Sequence, residues 1–121
     1  MDQLHDAIER LEKITGRTFQ DELFFEAADN QFESSTLWPK VCMLNQAIPA
    51  PIDEKSMFSL YVLAVLNKSS REHVEFYREL LDEVKDRVDR GIAALATERK
   101  RIMSDCPPPW GFLKIFRYLE S

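Results

Sequence analysis

Apolar residues recur at three- and four-residue steps over most of the chain, which is the spacing of helices that bury one face. Leu4, Ala7 or Ile8, Leu11 and Ile14 predict a first helix over residues 2–15, with Gly16 as its C-terminal cap. Thr18 followed by Asp21 reads as a box-like start for a second helix, and Leu23, Phe24, Ala27 and Phe32 continue its face. Leu37, Val41 and Leu44 keep the period past Pro39. The pattern fits one kinked helix to about Gln46 or two helices split near Ser34 and Ser35.

The stretch IPAPI, residues 48–52, predicts an extended connector, because each proline fixes its own φ and restricts its predecessor. Asp53 then caps a third helix with Met57, Leu60, Tyr61, Ala64 and Val65 on its face, broken at residues 67–69. SSRE, residues 69–72, reads as a capping box that opens the longest element. Its narrow seam runs through Val74, Tyr77, Leu81, Val84, Val88, Ile92 and Leu95, with Gly91 placed to fray or end the helix. Packing against the other helices of the chain is the expected use of this seam. Glu83 with Arg87 and Asp86 with Arg90 are surface pairs at the favourable four-residue spacing.

The last stretch, RIMSDCPPPWGFLKIFRYLES, changes character. Residues 101–105 read as a short strand, 106–109 as a turn, and 110–120 as an amphipathic helix with Phe112, Ile115, Phe116 and Leu119 on one side. A strand needs a neighbour for its backbone groups, and none follows before Ser121, so the chain is expected to be part of a longer one. The expected fold class is all-α: an irregular bundle of four or five helices over residues 1–97. Residues 98–121 form a connector and the start of a truncated α/β domain, a short C-terminal strand-helix unit.

Composition narrows the function classes. The 121 residues are 45% hydrophobic and 31% charged, the balance of a globular chain, and the longest apolar run, 60–66, is far too short for a bilayer. No signal peptide is read at the start, since residues 1–16 are charged and amphipathic. The net charge is -5, with five basic and eleven acidic residues in positions 1–56. Nucleic acid is disfavoured as a partner. The only basic cluster, Arg99 to Arg101, is expected to be a solvated connector. Cys42 and Cys106 stand apart with no CxxC, which favours a reducing, cytoplasmic setting and leaves no complete metal site in the chain. His5 and His73 are expected to be solvated, and no serine or cysteine sits in a nucleophile elbow. Asn30 and Asn45 are expected to make cap-like or interhelical hydrogen bonds.

One place can aim polar groups at a ligand: the SDCPPPW turn, as crevices at strand ends do in open α/β sheets. Ser104, Asp105 and Trp110 are the candidate substrate-binding residues, and no residue stands out as catalytic. Local satisfaction of amides by Ser104 or Asp105, with Cys106 packed as a small apolar group, competes with that reading. Trp38 and Trp110 are likewise expected to be core or half-buried indoles before they are ring-stacking platforms.

TGRTFQDEL, the following long helix with Asn30, PAPID, ELLDEVKDRVDRG and above all RIMSDCPPPWGFLKIFRYLE resemble the benzoyl-CoA reductase and 2-hydroxyacyl-CoA dehydratase family. The last segment is particularly similar to catalytic subunits of ATP-dependent benzoyl-CoA reductase. The resemblance implies the helical region between two Rossmann-like domains of a longer subunit, inactive alone. It further implies a [4Fe-4S] cluster in the full-length subunit, a paralogous catalytic subunit and ATP-hydrolysing electron-activator subunits as partners, and reductive dearomatisation of benzoyl-CoA. Neither Cys42 nor Cys106 is matched to a cluster-binding cysteine of the family. A 2-hydroxyacyl-CoA dehydratase subunit is the nearest rival, and a free-standing helical module that dimerises through the Val74 to Leu95 seam is the rival from another class.

Overall fold

The computed structural model describes residues 2–66, 68–102 and 109–120. Its element order is α1 (Asp2–Thr15), α2 (Asp21–Leu44), α3 (Glu54–Val65), α4 (Arg71–Asp89), a 3-10 turn at Trp110–Phe112 and α5 (Lys114–Leu119). The fold is all-α, and no strand occurs among the described residues. Arg101 and Ile102, expected to open a strand, have no regular structure; residues 103–105 of that strand and 106–108 of the turn lie outside the described residues.

α1 keeps its expected bounds, and Gly16 at φ +66° provides the left-handed residue that stops it. The Thr18 start of α2 is not formed. The Glu12 carboxylate accepts the Phe19 amide at 2.7 Å and ties the loop to α1, while α2 begins three residues after Thr18 with Gln20 at its N-cap and no side-chain cap. α2 then runs unbroken for 24 residues with Pro39 inside it, which decides for one helix over two. The IPAPI connector bends rather than running straight. It is tied down by the Ile52 amide, which donates to Asn45 Oδ1 at 3.0 Å.

Asp53 caps α3 as expected, its carboxylate accepting the Ser56 amide at 2.6 Å. α4 is capped by Ser70 rather than by Ser69, and the hydroxyl accepts the His73 amide at 3.2 Å. With Ser70 as the cap, Glu72 falls outside the position a capping box requires, and His73 faces inward four residues before Tyr77 on the same helical face. α4 ends at Asp89, just before Gly91, the residue placed to fray or end it, and so does not carry the seam on to Leu95. Gly91 at φ +65° lets its own amide reach the Val88 carbonyl at 3.1 Å and the Ile92 amide reach the Arg87 carbonyl at 2.8 Å, a Schellman closure. Ile92 and Leu95 thus leave the seam.

The core is Leu37 and Val41 of α2, Ile52 of the connector, and Val74, Tyr77, Leu81 and Val84 of α4. Met57, Leu60 and Ala64 close it from α3. The seam of α4 is covered by α2 from within the chain, which uses it internally and leaves no coiled-coil stripe for a second copy. The middle of α2 meets the start of α4, where Asn30 Nδ2 donates to the Ser69 carbonyl at 3.1 Å, and Trp38 lies 5.7 Å from Tyr77 further along. The two helices therefore run in the same direction, with α3 returning between them. The surface pairs Glu83 with Arg87 and Asp86 with Arg90 form as expected, at 2.7 and 2.9 Å. No helix among the described residues is long and apolar enough to cross a membrane.

Candidate functional site

Sequence reasoning placed its candidate site at the C-terminal junction. Of its three candidate residues, Ser104 and Asp105 lie outside the described residues. Trp110 is half exposed on the 3-10 turn. Its ring stands 6.4 Å from Phe58 of α3 in an edge-on arrangement, and Phe58 is 5.2 Å from Phe116 of α5. These three rings hold α5 against α3 and present one indole face outward. The expected helix over 110–120 is split, because a 3-10 turn precedes α5.

The first turn of α3 has unpaired amides pointing out of the helix, and a carboxylate from the far end of the chain meets one of them. The Glu54 amide donates to Glu120 Oε1 at 2.9 Å. Burial first and the facing Glu120 second push the Glu54 carboxyl above its usual range. Sequence periodicity has no signal for such a pairing, since the partners are 66 residues apart.

The basic cluster before the junction is not merely solvated. Arg101 binds the carbonyls of Gln46 at 3.0 Å and Ala47 just past α2, together with the Glu98 carboxylate. A guanidinium there satisfies carbonyls of the turn that follows the helix and complements the negative end of its dipole. Glu98 Oε2 accepts the Ala50 amide at 2.7 Å, and the Ala94 amide donates to the Ala50 carbonyl at 2.8 Å. Arg101 first and the Ala50 amide second hold the Glu98 carboxyl below its usual range. Residues 94–101 are in this way clasped onto the 45–50 connector, so the chain enters the 103–110 segment from a fixed point.

A second polar cluster lies in the core. His73, expected to be solvated, is buried at 7% exposure, and its Nε2 has no hydrogen-bond partner among the described residues. Its ring meets Tyr77 edge-on at 4.8 Å. Tyr77 is fully buried and its hydroxyl donates to the Leu60 carbonyl at 2.8 Å; burial pushes the phenol far above its ordinary range. Above His73, the Ser34 hydroxyl shares its proton between the Asn30 carbonyl at 2.8 Å and the Lys68 carbonyl at 3.1 Å. Asn30 and Asn45 thus make the interhelical and cap-like bonds their positions lead one to expect. The signal in the sequence for a buried histidine is its place four residues before Tyr77, on the same face of α4.

The cluster implied by the family resemblance finds no fit among these groups. Iron-sulfur ligation takes several thiolates. The one described cysteine, Cys42, is half-buried, and burial pushes its thiol up, toward the protonated form. No three His, Cys, Asp or Glu side chains among the described residues are placed to share a metal ion. No chemical step is therefore routed through a cluster on these residues.

Comparison with known proteins gives this arrangement a context. The chain is 31% identical to (R)-2-hydroxyglutaryl-CoA dehydratase, subunit alpha, of Acidaminococcus fermentans, over 98% of this chain and 25% of that protein. It is 27% identical to the (R)-phenyllactyl-CoA dehydratase alpha subunit of Clostridium sporogenes, over 93% of this chain and 28% of that one. It is 26% identical to the (R)-2-hydroxyisocaproyl-CoA dehydratase alpha subunit of Clostridioides difficile, over 92% of this chain and 28% of that one. The chain thus spans about a quarter of the length of the curated relatives it matches. No solved structure matches it. The family described as 2-hydroxyglutaryl-CoA dehydratase, D-component, matches residues 1–121, the full sequence, and the chain belongs to that family.

Proposed function

We propose that this chain is the helical portion of a 2-hydroxyacyl-CoA dehydratase subunit, contributing to removal of water from a 2-hydroxyacyl thioester. The observation that carries this reading is the family match over the full sequence, together with relatives whose names all describe CoA dehydratase alpha subunits. Dehydration is redox-neutral overall: the hydroxyl leaves C2, a hydrogen leaves C3, and a 2-enoyl thioester and water form. Dearomatisation of benzoyl-CoA instead consumes two electrons and two protons. The resemblance of the last twenty residues to benzoyl-CoA reductase keeps reduction as the second reading, but the relatives favour dehydration.

In this reading residues 1–97 are a helical scaffold and 98–121 a connector into a further domain. Ser104, Asp105 and Trp110 remain the proposed acyl-CoA contacts; Trp110 supplies a half-exposed indole face for a flat group. The iron-sulfur cluster, the paralogous subunit and the ATP-hydrolysing activator belong to the assembled enzyme.

A hybrid subunit tests the reading. Residues 1–121 are placed in the A. fermentans alpha subunit in exchange for its matching segment, and in parallel in a benzoyl-CoA reductase subunit. Retained enoyl-CoA formation by the first hybrid and loss of benzoyl-CoA reduction by the second are expected. The reverse pattern overturns dehydration in favour of reduction.

A further inference from the structure

No residue from Gln3 to Glu33 is buried, although this arm carries nine large apolar side chains, eight of them exposed. Leu4 and Ile14 on α1 are each 71% exposed, and Leu23, Phe24, Phe25 and Phe32 on the start of α2 lie between 53% and 74%. Single exposed apolar residues are ordinary on a surface; a contiguous aromatic and aliphatic arm is not. The total area agrees. The accessible surface is 9643 Å², whereas a folded monomer of 14.2 kDa exposes about 6,800 Å². Over the whole chain the excess is about 2,800 Å², more than the roughly 800 Å² that one partner of a standard complex buries.

Charge selects among occupants. Residues 1–33 hold nine acidic and three basic side chains, so two copies of the arm laid together repel. We propose that the arm formed by α1 and the start of α2 is a docking surface for the further part of a family-length subunit. That part presents an apolar groove edged by Lys and Arg. This rests on the reading above that the chain is one portion of such a subunit, and the 25% share of the A. fermentans protein that it covers makes room for the occupant. The arm buries Leu11, Ile14, Phe24 and Phe25 in that groove, and its acidic rim sets the orientation.

The test substitutes Leu11→Asp together with Phe24→Asp in two proteins: this chain, and the A. fermentans alpha subunit carrying residues 1–121 in exchange for its own segment. In the free chain the helical content and melting temperature are expected to hold, because neither side chain is buried, while binding of a hydrophobic dye falls. In the hybrid subunit the same pair is expected to lower soluble yield about fivefold and to raise dye binding, because the docked face is broken. An unsubstituted hybrid that stays insoluble, or a substituted one that behaves as its parent, overturns the proposal. So does a free chain that sediments as a dimer and dissociates on substitution, which assigns the face to a second copy. The readout is assembly rather than activity: a hybrid that assembles and dehydrates nothing counts against the dehydratase reading alone.

Discussion

His73 joins α4 to the rest of the core under unusual terms for a titratable side chain. Burial first and the Lys68 ammonium second lower its pKa from the ordinary value near 6.5. The unfolded chain then binds the proton more readily than the folded one, so the histidine's contribution to stability is full above about pH 6.5 and is lost as pH falls below it. Of the charged groups on neighbouring elements, the Glu33 carboxylate of α2 is taken by Arg78 at 2.5 Å, leaving it engaged away from His73. We expect His73→Gln to flatten the dependence of melting temperature on pH between about 7 and 5, measured against the parent chain. An unchanged slope would place the titration elsewhere. Glu54 works with the opposite sign. Its pKa is raised, so folding favours its protonated form, and Glu54→Gln is expected to stabilise the chain at pH 7 and to have no effect at pH 3, where both chains are neutral at that position.

At the scale of elements, α2 and the connector clasp are the instructive pieces. Pro39 sits in the interior of α2 with its ring exposed; it removes one amide from the helix ladder and gains no core contact in return. Pro39→Ala is expected to raise stability by about 1–3 kcal/mol in urea unfolding, since alanine restores the bond at little packing cost. A loss of stability would mean that the bend at this position is required by the packing of Leu37 and Val41. The clasp makes a different prediction because it lies at the surface. Arg101→Ala frees the carbonyls after α2, and amide exchange at Ala50 and Ala94 is expected to accelerate while exchange in α4 stays the same. Uniform acceleration across the core would make Arg101 a general stabiliser instead of a local anchor.

For the whole molecule, the excess of surface over a compact monomer predicts an extended particle. A compact chain of this length has a radius of gyration of about 14 Å. Small-angle scattering of the isolated chain is expected to exceed that value, with α1 and the start of α2 projecting from the body. A compact reading would mean that α1 folds back over the aromatic residues of α2 in solution and would remove the free face on which docking depends.

Periodicity was enough to read the four main helices from the sequence, because apolar residues repeat at helical steps in each of them, whether the stripe is buried, as on α2 and α4, or left exposed, as on α1. The Asp53 cap, the Gly16 stop and the surface pairs of α4 were legible for the same reason: their partners lie within four residues. The broader family was legible too, but the last twenty residues pointed to its benzoyl-CoA reductase branch, whereas the matched family and relatives are 2-hydroxyacyl-CoA dehydratases. What the tertiary structure alone decided involves partners distant in the chain. Glu12 tied the loop before α2 to α1, Ser70 took the cap that SSRE offered to Ser69, and the packing of α4 on α2 put His73 in the core. Glu120 reached the first turn of α3, and Arg101 closed α2 from 54 residues away. Local spacing carries no information about such pairs, because their energy depends on which surfaces meet after the helices have formed.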